Sequence, residues 1–283
     1  MKKLFFLLAF FAFTITSVFS QKSEIGVLGG TSFYIGDISH STIFSECGYS
    51  FGVIYRYNIS PRWAVKANVI FAEIHASDAK SNNNYERNLS FRSPITEISA
   101  QMELNFFKLY NQKGYNRFSP YIFGGVALFS FNPQTEYNGT YYDLQPFGTE
   151  GQIIDDGKKE YALCSFAVPF GIGFRFNIGR YISLGAEWGM RFTCTDYLDD
   201  VCSVYYDNGA LRTYGGDMLA NLADRSPEIG GEIHEAGTQR GNFKTTDFYS
   251  FCGATLTFKI GNENKVCQIK EKVNTRRKLG RKR

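Results

Sequence analysis

Residues 165–192 contain two consecutive stretches in which large apolar side chains occupy every second position. Phe166 begins the first stretch and Phe192 ends the second, and the residues between the apolar ones are small, polar or charged. A period of two places the apolar groups on one face of a β-strand and the remaining groups on the other. A turn at Gly179 and Arg180 joins the two strands into an antiparallel hairpin, and each arm is long enough to cross a bilayer. This hairpin predicts a transmembrane β-barrel.

Eight segments of the chain carry strand patterns of this kind. The fourth is the clearest, because Ile98, Met102 and Phe106 alternate with polar residues. The first and fifth segments are rich in glycine, so the sequence leaves the faces of these two strands open. The predicted strands are residues 23–34, 49–59, 62–75, 89–107, 118–131, 162–178, 181–194 and 247–260.

The connections between these segments alternate in length. They are short after the second, fourth and sixth segments and long after the first, third, fifth and seventh. Short turns at one end and long loops at the other are typical of outer-membrane barrels. The sequence therefore predicts an all-β fold, an eight-stranded antiparallel up-and-down transmembrane β-barrel with long extracellular loops and periplasmic termini.

A soluble lipocalin-like barrel would show the same alternation with its apolar face turned inward. Charges of both signs on the polar face favour the membrane barrel, since they suit a lumen filled by compensating pairs. The interior of an eight-stranded barrel is only about wide enough for its own side chains, so we expect a plugged lumen and no pore for solutes. The predicted lumen charge network consists of Arg56, Lys66, Glu97, Glu103, Arg175, Glu187 and Arg191.

The two ends of the chain differ from its body. Residues 1–20 contain two lysines, an apolar run and a small residue before the expected cleavage site, which predicts a signal peptide. Residues 21–260 form the predicted barrel, and residues 261–283 form a basic periplasmic tail with nine Lys and Arg against two Glu. Because the positive charge lies in the tail and not on the body, we expect no nucleic-acid partner.

Eight stretches of the mature chain resemble PorG, the small outer-membrane barrel of the type IX secretion system, and they follow one another in order. They are residues 34–39 (YIGDIS), 55–69 (YRYNISPRWAVKANV), 87–107 (RNLSFRSPITEISAQMELNFF), 118–133 (FSPYIFGGVALFSFNP), 144–152 (LQPFGTEGQ), 187–201 (EWGMRFTCTDYLDDV), 222–229 (LADRSPEI) and 239–251 (QRGNFKTTDFYSF).

The PorG resemblance implies a non-enzymatic component of the protein secretion and gliding machinery in the outer membrane of a Gram-negative bacterium. The partners that it implies are outer membrane lipid and the periplasmic PorK/PorN-like ring. It supplies no catalytic residue, cofactor, metal or small-molecule substrate. Two other classes stay open, namely a generic structural or adhesive barrel of the OmpA/OmpX type and an outer-membrane enzyme. An enzyme would need a histidine beside an acid, as with His75 near Glu73 and Asp78, although a surface histidine is the simpler interpretation.

The cysteines give two further predictions. Cys194 and Cys202 are close enough in sequence to staple the base of the fourth long loop, with Cys47 and Cys164 as competing partners at the same end of the barrel. In the tail, Cys267 is separated from the other thiols by the bilayer, whose core is roughly 30 Å thick, so no internal partner is within disulfide reach.

A lone thiol in an oxidising compartment favours intermolecular pairing. We therefore predict a mixed disulfide of Cys267 with a periplasmic component, the ring lipoprotein. The alternatives are a free thiol on a disordered basic tail and a tail that contacts anionic membrane lipid. The basic side chains that would steer this tail to an acidic partner surface are Lys270, Lys272, Arg276, Arg277 and Lys278.

Overall fold

The structure is a computed structural model, and it describes residues 23–39, 46–81, 84–109, 116–155, 158–178 and 181–260. The predicted signal peptide, residues 1–20, lies outside the described residues. So does the basic tail, residues 261–283, with Cys267 and its neighbouring lysines and arginines.

Ten strands are described, and eight of them form one closed barrel. Each barrel strand pairs with its neighbours in antiparallel register, β1 pairs with both β2 and β10, and the pairing of β3 with β4 completes the closure. The two remaining strands, β6 and β7, form a hairpin within the third long loop. The strands are β1 Ser23–Ile35, β2 Gly48–Asn58, β3 Trp63–Ser77, β4 Ser90–Asn105, β5 Phe118–Phe131, β6 Gln134–Tyr137, β7 Thr140–Asp143, β8 Cys164–Asn177, β9 Ile182–Thr193 and β10 Phe248–Ile260.

The eight predicted strands are confirmed, with bounds that differ by no more than a few residues. The predicted hairpin corresponds to β8 and β9, in which Ile172 lies opposite Trp188 and Phe176 lies opposite Leu184. The long connections meet at one end of the barrel and the short ones at the other, because consecutive strands run in opposite directions. These ends are called the long-loop end and the short-turn end below.

Large apolar side chains cover the outer wall of the barrel. Phe166 and Val126 are 66% and 65% exposed, and the outward positions along β8 and β9 are similarly open. The charged residues of the same two strands, Arg175, Glu187 and Arg191, point inward and are buried. A water-soluble barrel would have the opposite arrangement, and a continuous exposed apolar wall of this size suits a lipid bilayer. The fold is therefore a transmembrane β-barrel.

The described helices are confined to the long loops. Within the described part of the chain, no helix is both long enough and apolar enough to cross a membrane.

The structure assigns the faces of the two glycine-rich strands. In β1, Glu24 and Leu28 point inward and Val27 points outward, while in β5 Tyr121 and Phe123 point inward. Small residues let the neighbouring backbones approach closely at these positions. A methyl group at Gly30 would lie 2.1 Å from the carbonyl oxygen of Cys252, so a larger residue would separate β1 from β10.

The lumen is divided into two layers. Charged and polar side chains fill the part nearer the short-turn end, and apolar side chains fill the part nearer the long-loop end. The apolar layer continues into the loops, because Leu198 and Val201 of the fourth long loop pack on it. Its barrel residues include Ile70, Ile74, Phe91, Ile95, Phe129, Phe131, Tyr249 and Phe251.

The four long loops fold together over this apolar layer, and their described residues are called the cap. The cap comprises residues 36–39, 46–47, 78–89, 132–163 and 194–247, apart from the undescribed positions. Its largest element is the loop helix Asn208–Ala223, which Asp207 caps by accepting a hydrogen bond from the Ala210 backbone at 2.6 Å. A break at Gly216, with φ of 76°, divides this helix. Its Leu211 and Leu219 pack against the third long loop, which holds the fourth loop over the barrel.

Candidate functional site

The centre of the charged layer is the carboxylate of Glu103. Arg56 donates to both of its oxygens, from Nε at 2.8 Å and from Nη2 at 3.1 Å. Lys66 Nζ lies 3.3 Å from Oε1, and Arg175 Nη2 lies 3.4 Å from Oε2. The same two arginines also reach Glu24 Oε2, at 3.0 Å from Arg56 and 3.4 Å from Arg175. Two carboxylates and three cations therefore form one connected group.

Lys66 extends this group toward the middle of the lumen. Its Nζ donates to Glu187 Oε2 at 2.7 Å, and the Tyr121 hydroxyl donates to the same oxygen at 2.8 Å. The ammonium also lies 4.5 Å from the ring centre of Phe123, where a cation–π interaction adds to its stabilisation. The lysine thus has partners on three other strands.

A separate pair lies nearer the apolar layer. Arg191 Nε donates to Glu97 Oε2 at 3.1 Å, and Tyr249 donates to the same oxygen at 2.9 Å. The guanidinium also lies 4.2 Å from the ring centre of Phe251. This pair adjoins the apolar side chains that close the other half of the lumen.

The structure brings together all seven side chains of the predicted lumen network. Sequence reasoning missed Glu24, because β1 is too rich in glycine to reveal its inward face. With Glu24 included, four carboxylates oppose four cations in the described lumen, and each has an ion-pair partner. Buried charges are tolerated only when paired in this way. The arrangement ties β1–β5, β8 and β9 together across the lumen and obstructs it.

A second polar network links the loops of the cap. The Glu150 carboxylate in the third long loop accepts hydrogen bonds from the backbone of Cys202 and Ser203 and from the Ser203 hydroxyl, at 2.7–3.2 Å. Arg240 of the fourth loop donates to Glu150 at 3.0 Å. It also lies beside Asp200 of its own loop. Burial lowers the pKa of Arg240 and the neighbouring carboxylates raise it. The carboxylates have the larger combined effect, so the pKa lies above its usual value. The third and fourth loops are thereby fixed to each other.

Arg87 performs the same role for the first and second loops. It makes a two-pronged contact with Asp78, from Nε at 2.8 Å and from Nη2 at 2.7 Å. It also donates to the backbone carbonyl groups of Asp37 and Arg240. One buried guanidinium therefore connects the first, second and fourth loops.

Two carboxyl groups meet where the cap joins the barrel. The Tyr34 hydroxyl lies 2.6 Å from Asp199 Oδ2 and 2.7 Å from Asp247 Oδ1. Asp199 and Asp247 are both buried, and desolvation raises the pKa of each well above its ordinary value. Repulsion from neighbouring carboxylates, including Asp37, raises both pKa values further.

The pKa values of other carboxyl groups in the cap are raised in some cases and lowered in others. Burial raises the pKa of Asp200 to about 6, against the opposing effect of Arg240. Burial also raises the pKa of Asp196 to about 7. Asp224 differs, because hydrogen bonds from His234 and Ser226 outweigh its desolvation and lower its pKa.

The histidines do not form the acid–base pair considered from the sequence. His75 and Glu73 lie at half-buried positions on the outer face of β3, whereas Asp78 is buried in the cap and held by Arg87. His234 does contact Asp224, with Nδ1 at 3.0 Å from Oδ2, but the Ser226 hydroxyl approaches the same nitrogen at 3.2 Å. A serine nucleophile would need the opposite ring nitrogen. In the described parts of the chain, no group of three or more His, Cys, Asp or Glu is placed to hold a metal ion.

The predicted disulfide between Cys194 and Cys202 is not present. Both residues are thiols in the structure. Cys194 follows the inward Thr193 at the end of β9 and is exposed on the outer wall, whereas Cys202 lies half-buried within the fourth loop beside Asp196 and Tyr197. The alternation of β9 turns the first thiol away from the cap, which the short sequence separation did not reveal.

A family model described as "Domain of unknown function (DUF6089)" matches residues 2–216. The chain belongs to the DUF6089 family. The matched part of this DUF6089 chain runs from before β1 into the loop helix and leaves out β10. No curated protein matches the chain.

Several solved barrels are similar to the DUF6089 chain at low identity. The N-terminal β-barrel domain of Pseudomonas aeruginosa OprF is 9% identical, with 86% of this chain and 100% of that one covered and a TM-score of 0.35. Ail of Yersinia pestis is 10% identical, with 86% and 100% covered and a TM-score of 0.39. Neisserial surface protein A is 9% identical, with 84% and 97% covered and a TM-score of 0.39. Similarities of this size carry no information about function.

Proposed function

We propose that this DUF6089 chain is a non-enzymatic outer-membrane component of the type IX protein secretion machinery. In this role it anchors or assembles the periplasmic PorK/PorN-like ring at the membrane. The PorG-like stretches, spread in order over nearly the whole mature chain, supply the assignment to this machinery. The observation that carries the anchoring role is the filled lumen, since a barrel obstructed by its own ion pairs and apolar side chains is suited to holding partners rather than to passing cargo.

The proposal includes an orientation. With an even number of strands, both termini leave the barrel at the short-turn end. The short-turn end then faces the periplasm and the cap faces outside the cell. The basic residues 261–283 follow β10 directly and are thereby delivered to the side on which the ring assembles.

Deletion of the gene tests the function class. We expect secretion of many cargo proteins to fail together, and restoration by the full chain. Intact secretion with altered lipid A would favour an outer-membrane enzyme, and intact secretion with weaker adhesion or envelope stability would favour a generic structural barrel.

Chemical cross-linking followed by mass spectrometry tests the partner. We expect periplasmic ring proteins among the cross-linked species, with contacts from residues 261–283. A variant with Lys270, Lys272, Arg276, Arg277 and Lys278 changed to glutamine should lose these contacts while the barrel still folds. The control is the glutamine variant of the four exposed basic residues in the described cap, Lys80, Lys159, Arg212 and Lys244. Equal cross-linking of both variants would contradict a role for the tail.

The covalent tether proposed for Cys267 has its own test. Non-reducing gels of wild-type membranes should show a high-mass adduct that disappears in Cys267→Ser. Persistence of the adduct in Cys267→Ser, or its absence from wild type, would dispose of the tether.

A further inference from the structure

A cleft of about 650 Å³ opens in the cap between the first, second and fourth long loops. Clefts of this size are typical of small-ligand sites. Its wall contains Tyr85 from the second loop and Tyr205 and His234 from the fourth. None of these residues belongs to the lumen network or to the basic tail, so the cleft is separate from the anchoring role proposed above.

Aromatic rings form one side of the cleft. The rings of Tyr205 and His234 are stacked, with centres 4.2 Å apart and an angle of 3° between their planes. The Asp224 carboxylate holds the His234 ring in this position through Nδ1. Tyr85 is 58% exposed, so its ring is open to a ligand in the cleft. The cleft thus combines the stacked rings of Tyr205 and His234 with the exposed ring of Tyr85.

The cleft also contains a polar atom without a partner. Tyr205 is 4% exposed, and its hydroxyl is buried with no hydrogen-bond partner among the described residues. An unsatisfied buried hydroxyl is destabilising, and native structures contain few of them. The hydroxyl has almost no surface open to the cleft, so Tyr205 is available to a ligand there only through its ring.

Apart from the two arginines and His234, the polar side chains of the wall are three amides, Asn84, Gln239 and Asn242, and two acids, Asp37 and Glu86. The side chains of Asn84, Glu86 and Gln239 are exposed along the cleft. Amides both donate and accept hydrogen bonds, and carboxylates accept them, which matches the paired donor and acceptor character of hydroxyl groups.

The two arginines of the wall do not provide an anion site. Arg87 is committed to Asp78 and to two backbone carbonyl groups. Arg240 is committed to Glu150 and Asp200. With both guanidiniums neutralised, the cleft offers no net positive charge to a phosphate or sulfate.

We propose that this cleft binds a neutral saccharide. A pyranose ring presents C–H groups that pack on aromatic faces and hydroxyl groups that pair with amides and carboxylates, and the cleft supplies both kinds of surface. The described residues of the wall include no aliphatic side chain, so the cleft has no pocket for the apolar side chain of a peptide. In the orientation proposed above, the saccharide comes either from the polysaccharide of the cell's own surface or from free glycans outside the cell.

Saturation-transfer NMR on the full chain in detergent micelles tests the proposal. The probes are the neutral oligosaccharides released by mild acid from the lipopolysaccharide of the source bacterium and, separately, maltotriose and laminaritriose as free glucans. We expect transfer to the sugar ring protons of at least one probe. A positive result only with the first set identifies a surface polysaccharide, and one with the glucans identifies a free glycan.

The double variant Tyr85→Ala/Gln239→Ala removes two exposed contacts without touching the ion pairs of the cap. We expect about tenfold weaker binding, which corresponds to a loss of roughly 1.4 kcal/mol. The matched control is Tyr214→Ala, a ring 62% exposed on the loop helix that does not line the cleft. A heat-modifiable gel shift confirms that each variant is folded.

Three results would overturn the proposal. One is no transfer to any of these sugars at millimolar concentration. Another is equal binding by wild type and the double variant. The third is displacement of the sugar by inorganic phosphate at equal concentration, since that would show an anion site.

Discussion

Asp199 and Asp247 approach the same phenolic oxygen, that of Tyr34, at 2.6 Å and 2.7 Å. A hydroxyl group has one hydrogen and can donate to only one of the two carboxyl groups. The second contact therefore needs a proton on the other carboxyl group. The Asp199 carboxyl also accepts from the Val201 backbone, and Asp247 accepts from Leu198, so this shared proton fastens the base of the fourth loop to the barrel.

The first prediction concerns the pH dependence of the cap. The pKa values of Asp199 and Asp247 are raised in the folded protein, so the folded state binds more protons than the unfolded loop. Stability from such groups is complete below their unfolded pKa of about 4 and is lost as pH rises toward the folded values. Asp200 and Asp196, with pKa values of about 6 and about 7, act in the same direction. Hydrogen exchange of residues 198–204, corrected for intrinsic rates, should show less protection at pH 8 than at pH 5.

The variant Asp247→Asn tests the effect of the shared proton apart from the effects of the other titrating groups. The asparagine amide can donate to Tyr34 while its oxygen still accepts from Leu198, so the variant mimics the protonated acid. We expect more protection at pH 8 than in wild type and a smaller change between pH 5 and pH 8. Asp224 changes stability in the opposite direction, because its pKa is lowered in the folded protein. Its effect appears only in stronger acid. An unchanged pH profile in Asp247→Asn would contradict the shared proton.

The second prediction concerns the contact between the third and fourth loops. Glu150→Gln keeps the size of the side chain but removes the charge that Arg240 and the backbone of Cys202 and Ser203 bind. Charge-assisted hydrogen bonds of this kind contribute about 2 kcal/mol. We expect faster hydrogen exchange at residues 202 and 203 of the fourth loop. The control Glu232→Gln, at an exposed position of the fourth loop, should behave as wild type. Equal exchange in both variants would show that Glu150 does not fix the loops.

The third prediction concerns the lumen. Arg191→Met leaves Glu97 buried without its cation, and breaking a buried pair in this way costs about 3 to 5 kcal/mol. The urea midpoint of the gel-shift transition should fall clearly. Arg212→Met breaks an ion pair with Asp217 in which both side chains are largely exposed, and its effect should be no more than about 1 kcal/mol. Adding Glu97→Gln to Arg191→Met should recover part of the loss, because it removes the unpaired charge.

The fourth prediction concerns conductance. Ion pairs fill one half of the lumen and apolar side chains fill the other, so the purified chain should show no stable channel openings in planar bilayers. A porin reconstituted in the same membrane serves as the positive control. Reproducible unitary steps from the purified wild type would contradict an obstructed lumen and, with it, the main argument for an anchoring role.

The sequence by itself determined the barrel. Alternation with a period of two gives every strand an apolar and a polar face, and alternating short and long connections allow one simple order for eight strands. These are local properties, readable without knowing what lies opposite, and they were sufficient to predict the inward direction of Glu103 and Arg191. In β1 the same reasoning failed, because glycines occupy both faces and Glu24 has no neighbours in sequence that reveal its direction.

Only the tertiary structure decided what the long loops do. Arg87 and Arg240 join residues of different loops, and the Tyr34 hydroxyl joins β1 to the fourth loop. The residues in contact are separated by 50 to more than 200 positions, and no periodic pattern in the sequence predicts such contacts. The same is true of the thiols, since the short distance in sequence between Cys194 and Cys202 did not reveal that one side chain points outward from β9. Strand faces follow from local backbone geometry, whereas loop contacts depend on which loops the closed barrel places side by side.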